Sequence, residues 1–244
     1  MTLASRGALR GLRIKLFMDG ADLEAMRRAY AAGEVQGFTT NPTLMRKAGV
    51  ADYERFARQA IAAIPDLPLS FEVFADDLDR MADEARAIAS WGGRTYVKVP
   101  ITNTRGVSCA PVLAKLSAEG LSLNVTAITT LEQVRTAARN LNPDVPSIVS
   151  VFAGRIADTG IDPVPIMTQA VRELADLAEA ELLWASPREL LNLLQAEQCG
   201  CHILTATSDL LAKLPLVGKD LTEYSLETVR MFHGDAERAG YRIR

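Results

Sequence analysis

Lys98 stands in the run Tyr96-Val97-Lys98-Val99-Pro100, an amine between apolar neighbours at the end of a short strand-like segment. Such a lysine can snorkel, laying its stem on apolar surface and leaving its ammonium in water. Drawn instead into a pocket, a lysine loses hydration, which disfavours the charged form. A neutral amine can attack a ketone and form a Schiff base, and the iminium is an electron sink for breaking the adjacent carbon–carbon bond without a metal. That chemistry also needs proton carriers and a water. Asp19 and Glu72 are the carboxylates at comparable run-end positions. Either can be no more than a salt-bridge partner of Lys98. Alternatively, Asp19 takes the substrate hydroxyl proton as the bond breaks, while Glu72 with Thr126 holds the water that carries protons through carbinolamine and imine.

Two late segments could hold an anion. Ser150-Val151-Phe152-Ala153-Gly154-Arg155 sets an arginine just past one apolar run, and Ser186-Pro187-Arg188-Glu189 does so one unit later. Ser186 and Glu189 have capping-box spacing with proline at the first helical position, so a well-capped helix alone would explain them. The sharper reading joins the helix N-terminus to the guanidinium forks of Arg155 and Arg188 as a phosphate site. Asn41, held extended by Pro42, and Asn124 can supply amide hydrogen bonds to sugar hydroxyls, or cap loops. His202 reads as a packed histidine, and Trp184 and Phe152 as core, although Phe152 shares the parity of Ser150.

The elements that must position these groups recur along the chain. A short apolar run followed by an amphipathic stretch is the pattern of βα units and a parallel sheet. The runs are Ile14–Met18, Gln36–Thr39, Leu69–Phe74, Thr95–Val99, Leu121–Val125, Ser147–Phe152, Glu181–Ala185 and Cys201–Leu204. Between them, Leu78, Met81, Ala82, Ala85, Ile88 and Ala89 fall on one helical face. Helices are also expected over Pro163–Ala178, Pro187–Glu197 and Ser225–Ala239. Strand side chains alternate faces, so residues two apart share a side. By that parity the last inward positions are polar on seven runs: Asp19 after Phe17, Asn41 after Thr39, Glu72 after Ser70, Lys98 after Tyr96, Asn124 and Thr126 after Ser122, Ser150 after Ile148, and Ser186 after Trp184. All lie at carboxyl ends, the catalytic face of a barrel.

The fold expected is therefore α/β, a single (β/α)₈ TIM barrel over residues 1–244 with an extra C-terminal helix at about 220–240. The 244 residues suit it, since such barrels take about 250. With 27 basic and 30 acidic residues the net charge is −3, which argues against a nucleic-acid clamp or a polybasic membrane anchor. Arg6, Arg10 and Arg13 are not followed by the apolar core of a signal peptide, and no run approaches the ~18 apolar residues of a membrane span. Three cysteines (Cys109, Cys199, Cys201) and two histidines imply neither a disulfide framework nor a zinc site. A cytoplasmic location is expected.

Taken in order, Met18-Asp19, Thr39-Thr40-Asn41-Pro42-Thr43-Leu44, Tyr96-Val97-Lys98-Val99-Pro100, Asn124-Val125-Thr126, Phe152-Ala153-Gly154-Arg155-Ile156 and Ala185-Ser186-Pro187-Arg188 resemble the transaldolase family, in its short-chain branch that includes fructose-6-phosphate aldolases. The resemblance implies that Lys98 is the Schiff-base lysine, Asp19 the acid/base, and Glu72 with Thr126 the holders of the water. It assigns Asn41, Asn124 and Ser150 to a dihydroxyacetone unit, and Arg155, Ser186 and Arg188 to a phosphate. It further implies sugar-phosphate substrates, no cofactor, no metal, a place in the pentose phosphate pathway and a homo-oligomer. Glu72 and Phe152 stand where the aldolase branch tends to carry glutamine and tyrosine, which favours group transfer over release of dihydroxyacetone by a lyase. A barrel that binds a sugar phosphate without turnover is the third reading. Val151, Pro187 and Thr129-Thr130 depart from the family's common proline, phenylalanine and Phe-Ser, changes that would reshape the wall around the acceptor.

Overall fold

The computed structural model describes residues 11–243, so the expectations for Arg6 and Arg10 lie outside the described residues. Eight parallel strands close into a barrel in sequence order: β1 (Lys15–Asp19), β2 (Gly37–Thr39), β3 (Leu69–Glu72), β4 (Thr95–Pro100), β5 (Leu123–Ile128), β6 (Ser147–Val151), β7 (Ala180–Trp184) and β8 (Ile203–Ala206). Each of the eight apolar runs contributes one strand. Helices run between them: α1 (Leu23–Ala31), α2 (Pro42–Lys47), α3 (Tyr53–Ala63), α4 (Leu78–Ala89), α5 (Ala110–Ala118), α6 (Leu131–Ala138), α7 (Ala153–Asp158), α8 (Pro163–Glu173), α9 (Leu191–Gln198) and α10 (Ser208–Leu211). The fold is the (β/α)₈ TIM barrel with an additional C-terminal helix, α11 (Leu221–Ala239).

Local chemistry explains most of these boundaries. On α4 the expected stripe buries Met81, Ala82, Ala85 and Ile88, and the Asp77 carboxylate caps the first turn by accepting from the amides of Asp79 and Arg80. Capping by a carboxylate satisfies orphan amides and suits the positive end of the helix dipole. Asp22, Asp52 and Asp162 cap α1, α3 and α8 in the same way. The outward faces of the strands, including Phe71, Val97, Val99, Val125, Val149 and Trp184, are fully buried. Inside the barrel, Phe17, Tyr96, Ile148, Leu183, Ala185 and Ile203 form the apolar floor. Gly37 on β2 makes room for it, because a Cβ there would lie 2.4 Å from the Phe17 ring.

Several boundaries differ from the sequence expectation, and four of them have a consequence for the frame of the site. β5 runs on to Ile128 through an irregularity between Val125 and Ile128, where Ala127 takes φ +62°. β8 begins at Ile203, two residues later than expected; His202 just before it still bonds Leu182 O and the Lys15 amide through its backbone, and its Nδ1 accepts the Leu182 amide at 2.8 Å. α8 ends at Glu173 instead of Ala178. The helix expected at Pro187–Glu197 starts only at Leu191. Ser186 has φ +58°, whereas an N-cap needs an extended backbone, so the Ser186–Glu189 capping box does not form. Asn192 Oδ1 instead accepts the amides of Arg188 (2.7 Å) and Glu189 (3.1 Å), which holds residues 187–190 as a loop.

The described chain divides into two compact units, the barrel of residues 12–212 and a C-terminal unit described over residues 213–243. In the second, Asp220 caps α11 through the Glu223 amide, and Gly240 ends the helix in the left-handed region. Among the described residues no helix is long and apolar enough to cross a membrane.

Candidate active site

A cavity of about 390 Å³ opens at the carboxyl ends of the strands. Strand parity brings Asp19, Glu72, Lys98, Thr126 and Ser150 into it, and Asn41, Phe152, Arg155 and Ser186 join from the segments beyond the strands, Arg155 from the first turn of α7. Nine of the eleven residues singled out in the sequence thus share one wall system. Asn124 lies just beneath the wall and Arg188 is outside it.

Adjacent strands hold the ionisable core in register, with Glu72 opposite Lys98 and Lys98 opposite Asn124. Lys98 is 6% exposed. Its Nζ donates to the Thr40 carbonyl oxygen at 2.8 Å and lies 3.2 Å from Glu72 Oε2. The salt bridge left open in the sequence therefore forms with Glu72. The ammonium of a lysine has three donors, so these two protein contacts leave one direction for a ligand.

Glu72 is itself pinned through its backbone. The Tyr53 hydroxyl accepts the Glu72 amide at 2.6 Å and donates to the Glu72 carbonyl at 2.9 Å. β2 is only three residues long, so beyond Thr40, whose amide bonds Ser70 O, the side chain from α3 completes the edge of β3. Burial raises the Tyr53 phenol above its ordinary range, keeping it neutral and able both to donate and to accept.

Asp19, at the end of β1, sits among polar groups. Thr39 Oγ1 donates to its Oδ1 at 2.8 Å, and Asn41 Nδ2 approaches its Oδ2 at 3.4 Å. Burial pushes the Asp19 carboxyl above the usual carboxylate value. The Lys98 charge and the hydrogen bonds from Thr39 and Asn41 oppose that rise, and Glu72 adds to it. Asn41 serves twice, since its Oδ1 also caps α2 by accepting the Leu44 amide at 3.0 Å.

Beneath Lys98, fully buried Asn124 accepts from Ser150 Oγ at 2.7 Å and donates to Ser70 Oγ at 3.1 Å. These bonds fix which way the amide faces. The Thr126 hydroxyl is buried without a hydrogen-bond partner among the described residues. A buried orphan hydroxyl is costly unless something pairs it, so this group is free to bind a ligand or water in the cavity that Glu72 also lines.

The loops after β6 and β7 form the far wall. The Arg155 guanidinium lies 5.5 Å from the centre of the Phe152 ring. Gly154 touches the Ser186 backbone so closely that a Cβ would fall 1.5 Å from the Ser186 carbonyl oxygen. On β7 the inward residues are Leu183 and Ala185, which line the cavity, while Trp184 points outward. The expected inward parity of Trp184 and Ser186 is therefore off by one, and Ser186 reaches the cavity through its left-handed backbone. Arg188 is turned to Asp158, which receives both Nε, at 3.0 Å, and Nη2.

Two hydroxyl groups of the cavity went unnoticed in the sequence, that of Thr39 as a side-chain ligand and that of Thr205. Thr205 lies opposite Phe17 on β8, and its Oγ1 is 2.6 Å from Thr39 Oγ1. Among the described residues no cluster of three or more His, Cys, Asp or Glu side chains could hold a metal ion.

A closed parallel barrel with a buried lysine, two carboxylates and an arginine around one carboxyl-end cavity is a (β/α)₈ barrel equipped for acid–base and carbonyl chemistry. Residues 16–243 match the family described as Transaldolase/Fructose-6-phosphate aldolase, and the chain belongs to that family. It is 34% identical over 231 residues to a "Probable transaldolase" of Thermoanaerobacter sp. (strain X514), covering 94% of this chain and all of the relative. A "Probable transaldolase" of Streptococcus equi subsp. zooepidemicus (strain MGCS10565) is 36% identical over 217 residues, 88% of this chain and 93% of the relative. One from Dehalococcoides mccartyi is 32% identical over 202 residues, covering 82% and 90%. A crystal structure of a candidate lyase/mutase from Burkholderia cenocepacia J2315 shares the fold, with TM-score 0.60, 12% identity and coverage of 98% of this chain and 88% of that one.

Proposed function

We propose that this protein is a transaldolase that moves a dihydroxyacetone unit from a ketose phosphate to an aldose phosphate through a Schiff base on Lys98. The observation that carries the reading is the buried Lys98 amine, facing the cavity between Thr40 O and Glu72. In this reading Glu72 takes a proton from the ammonium, directly or through a water shared with Thr126. The amine adds to the substrate carbonyl, and loss of water leaves the iminium. Asp19 then removes the hydroxyl proton from the carbon beyond the bond to be broken. The C–C bonding electrons pass to the iminium, giving an enamine and a free aldehyde. Addition of the enamine to a second aldehyde reverses these steps, with Asp19 returning the proton. Asn41, Asn124 and Ser150 bind the three-carbon unit.

Arg155 and Ser186 bind the phosphate, and Arg188 joins them only by exchanging Asp158 for the ligand. Phe152 has no hydroxyl with which to protonate the enamine, which favours transfer over release of dihydroxyacetone. We assign the enzyme to cytoplasmic carbohydrate metabolism, acting on sugar phosphates as a homo-oligomer and without nucleic-acid or membrane partners.

Borohydride trapping with fructose 6-phosphate, followed by peptide mass mapping, tests the reading. A reduced dihydroxyacetone adduct on Lys98, absent from Lys98→Met, is expected. Without an acceptor aldehyde, turnover should stop after one equivalent of released aldehyde. Continued turnover would make the protein a lyase, and no adduct with any ketose phosphate would leave a binding barrel.

A further inference from the structure

Thr205 takes no part in the chemistry assigned above, yet its hydroxyl is the second link of a chain that ends on Asp19. Thr205 and Thr39 are both buried, both line the cavity, and their hydroxyl oxygens are 2.6 Å apart. Thr39 Oγ1 lies 2.8 Å from Asp19 Oδ1. A hydroxyl has one proton to give, and an ionised carboxylate can only accept. With Asp19 ionised, the Thr39 proton must therefore point to Asp19, and the short contact between the threonines is a bond donated by Thr205. Donation into Thr39 polarises its O–H and strengthens what Thr39 gives to the carboxylate, since hydrogen bonds in series reinforce one another at low local dielectric.

We infer that Thr205 is a positioning residue of this site, acting through Thr39 to orient and stabilise the ionised form of Asp19. The chain crosses from β8 to β2 and reaches β1 from its other neighbour, so both strands flanking β1 secure the same carboxylate. The charged groups that act on Asp19 are Lys98 on β4, which favours its ionised form, and Glu72 on β3, which opposes it. From β2 and the start of α2 it receives only the neutral Thr39 and Asn41, and β8 contributes the neutral Thr205. The hydroxyl chain is thus a contribution to Asp19 that can be altered without touching a charge and, unlike Asn41, without removing the cap of α2. The inference rests on the aldol reading, in which Asp19 must be ionised to accept the substrate proton.

The test compares Thr205→Val, Thr205→Ser, Thr39→Val and the double valine variant. Valine keeps the volume of Thr205 and removes its proton. With one hydrogen bond lost, the acid limb of the kcat/KM profile should move up by about 0.5 pH unit, with kcat falling severalfold and KM nearly unchanged. Thr205→Ser should restore both. Thr39→Val should move the limb in the same direction by more, and adding Thr205→Val to it should move the limb no further, because Thr205 acts only through Thr39. A Thr205→Val profile that overlays the wild type, or an additive double variant, overturns the inference. Borohydride trapping on Lys98 keeps the two readings apart. If the adduct forms and the profile is unmoved, the inference alone fails. If no adduct forms in the wild type, the aldol reading fails first, and a carboxyl NMR titration of Asp19 in the free protein then decides whether Thr205→Val raises its pKa.

Discussion

Asp19 illustrates a residue kept at a cost to the fold. Burial raises its carboxyl pKa above the ordinary value, and the opposing pull of Lys98 is the smaller effect. A carboxyl whose folded pKa is raised contributes stability that is fully present below about pH 3.9 and is lost as pH rises through the folded value. At neutral pH the buried charge therefore opposes folding. Asp19→Asn keeps an oxygen for the Thr39 bond and removes the charge, so it should melt above the wild type at pH 7, by about 2–4 °C for each kcal/mol recovered. The gap should close as pH falls through the folded pKa and the wild type becomes neutral. Activity should drop roughly 10²–10⁴-fold. Melting curves at several pH values check the sign, and an Asn variant less stable than wild type at pH 7 would refute the buried-charge account. Asp19, Glu72, Lys98 and Thr126 could be located in the sequence because ionisable or polar residues two apart from apolar ones stand out at strand ends. Thr39 and Thr205 could not, because threonine is at home anywhere in a strand and β8 reads two residues early.

Among the elements, the loops after β6 and β7 depend on each other. Gly154 is the second residue of α7, next to Arg155, and its amide approaches Ala185 O at 3.3 Å. The neighbour a Cβ would meet is the Ser186 backbone, not a flexible side chain that could swing away. Ser186 already holds a left-handed φ, a conformation that costs a non-glycine residue on the order of 1 kcal/mol and persists only where the surroundings enforce it. Gly154→Ala should push the two loops apart, lowering stability by about 2–3 kcal/mol. KM for a phosphorylated substrate should rise more than KM for its unphosphorylated counterpart. Chemical denaturation and paired kinetics measure both effects, and equal KM changes would separate this contact from the anion wall. The motif Gly154-Arg155 was visible in the sequence. Its partner loop was misread because Ser-Pro-x-Glu spacing suggests a cap, and nothing local reveals that packing against Gly154 holds Ser186 at positive φ. Asn192, six residues further on, takes the amides that a cap would have served.

At the scale of the molecule, eight apolar runs in 244 residues were enough to read the closed barrel, because period-two strands and period-3.6 helices leave few alternatives at that length. Assembly is a different matter, since a helix pattern reports an apolar face without naming what covers it. α11 has no buried residue, and Leu221, Val229 and Phe232 are exposed. With Tyr224 and Ala236 they fall at i, i+3, i+8, i+11 and i+15, one face of a helix. Contiguous exposed apolar surface marks an interaction site, and the homo-oligomer proposed above would use it between copies. Replacing Val229 and Phe232 together by aspartate should then bring the mass in light scattering down to that of fewer chains while the far-ultraviolet spectrum stays unchanged. Two carboxylates cannot be buried against an apolar neighbour without a large desolvation cost, so an interface built on this face would not survive them. A wild-type mass equal to one chain at every concentration, or a double variant of unchanged mass, would exclude α11 as the contact between subunits.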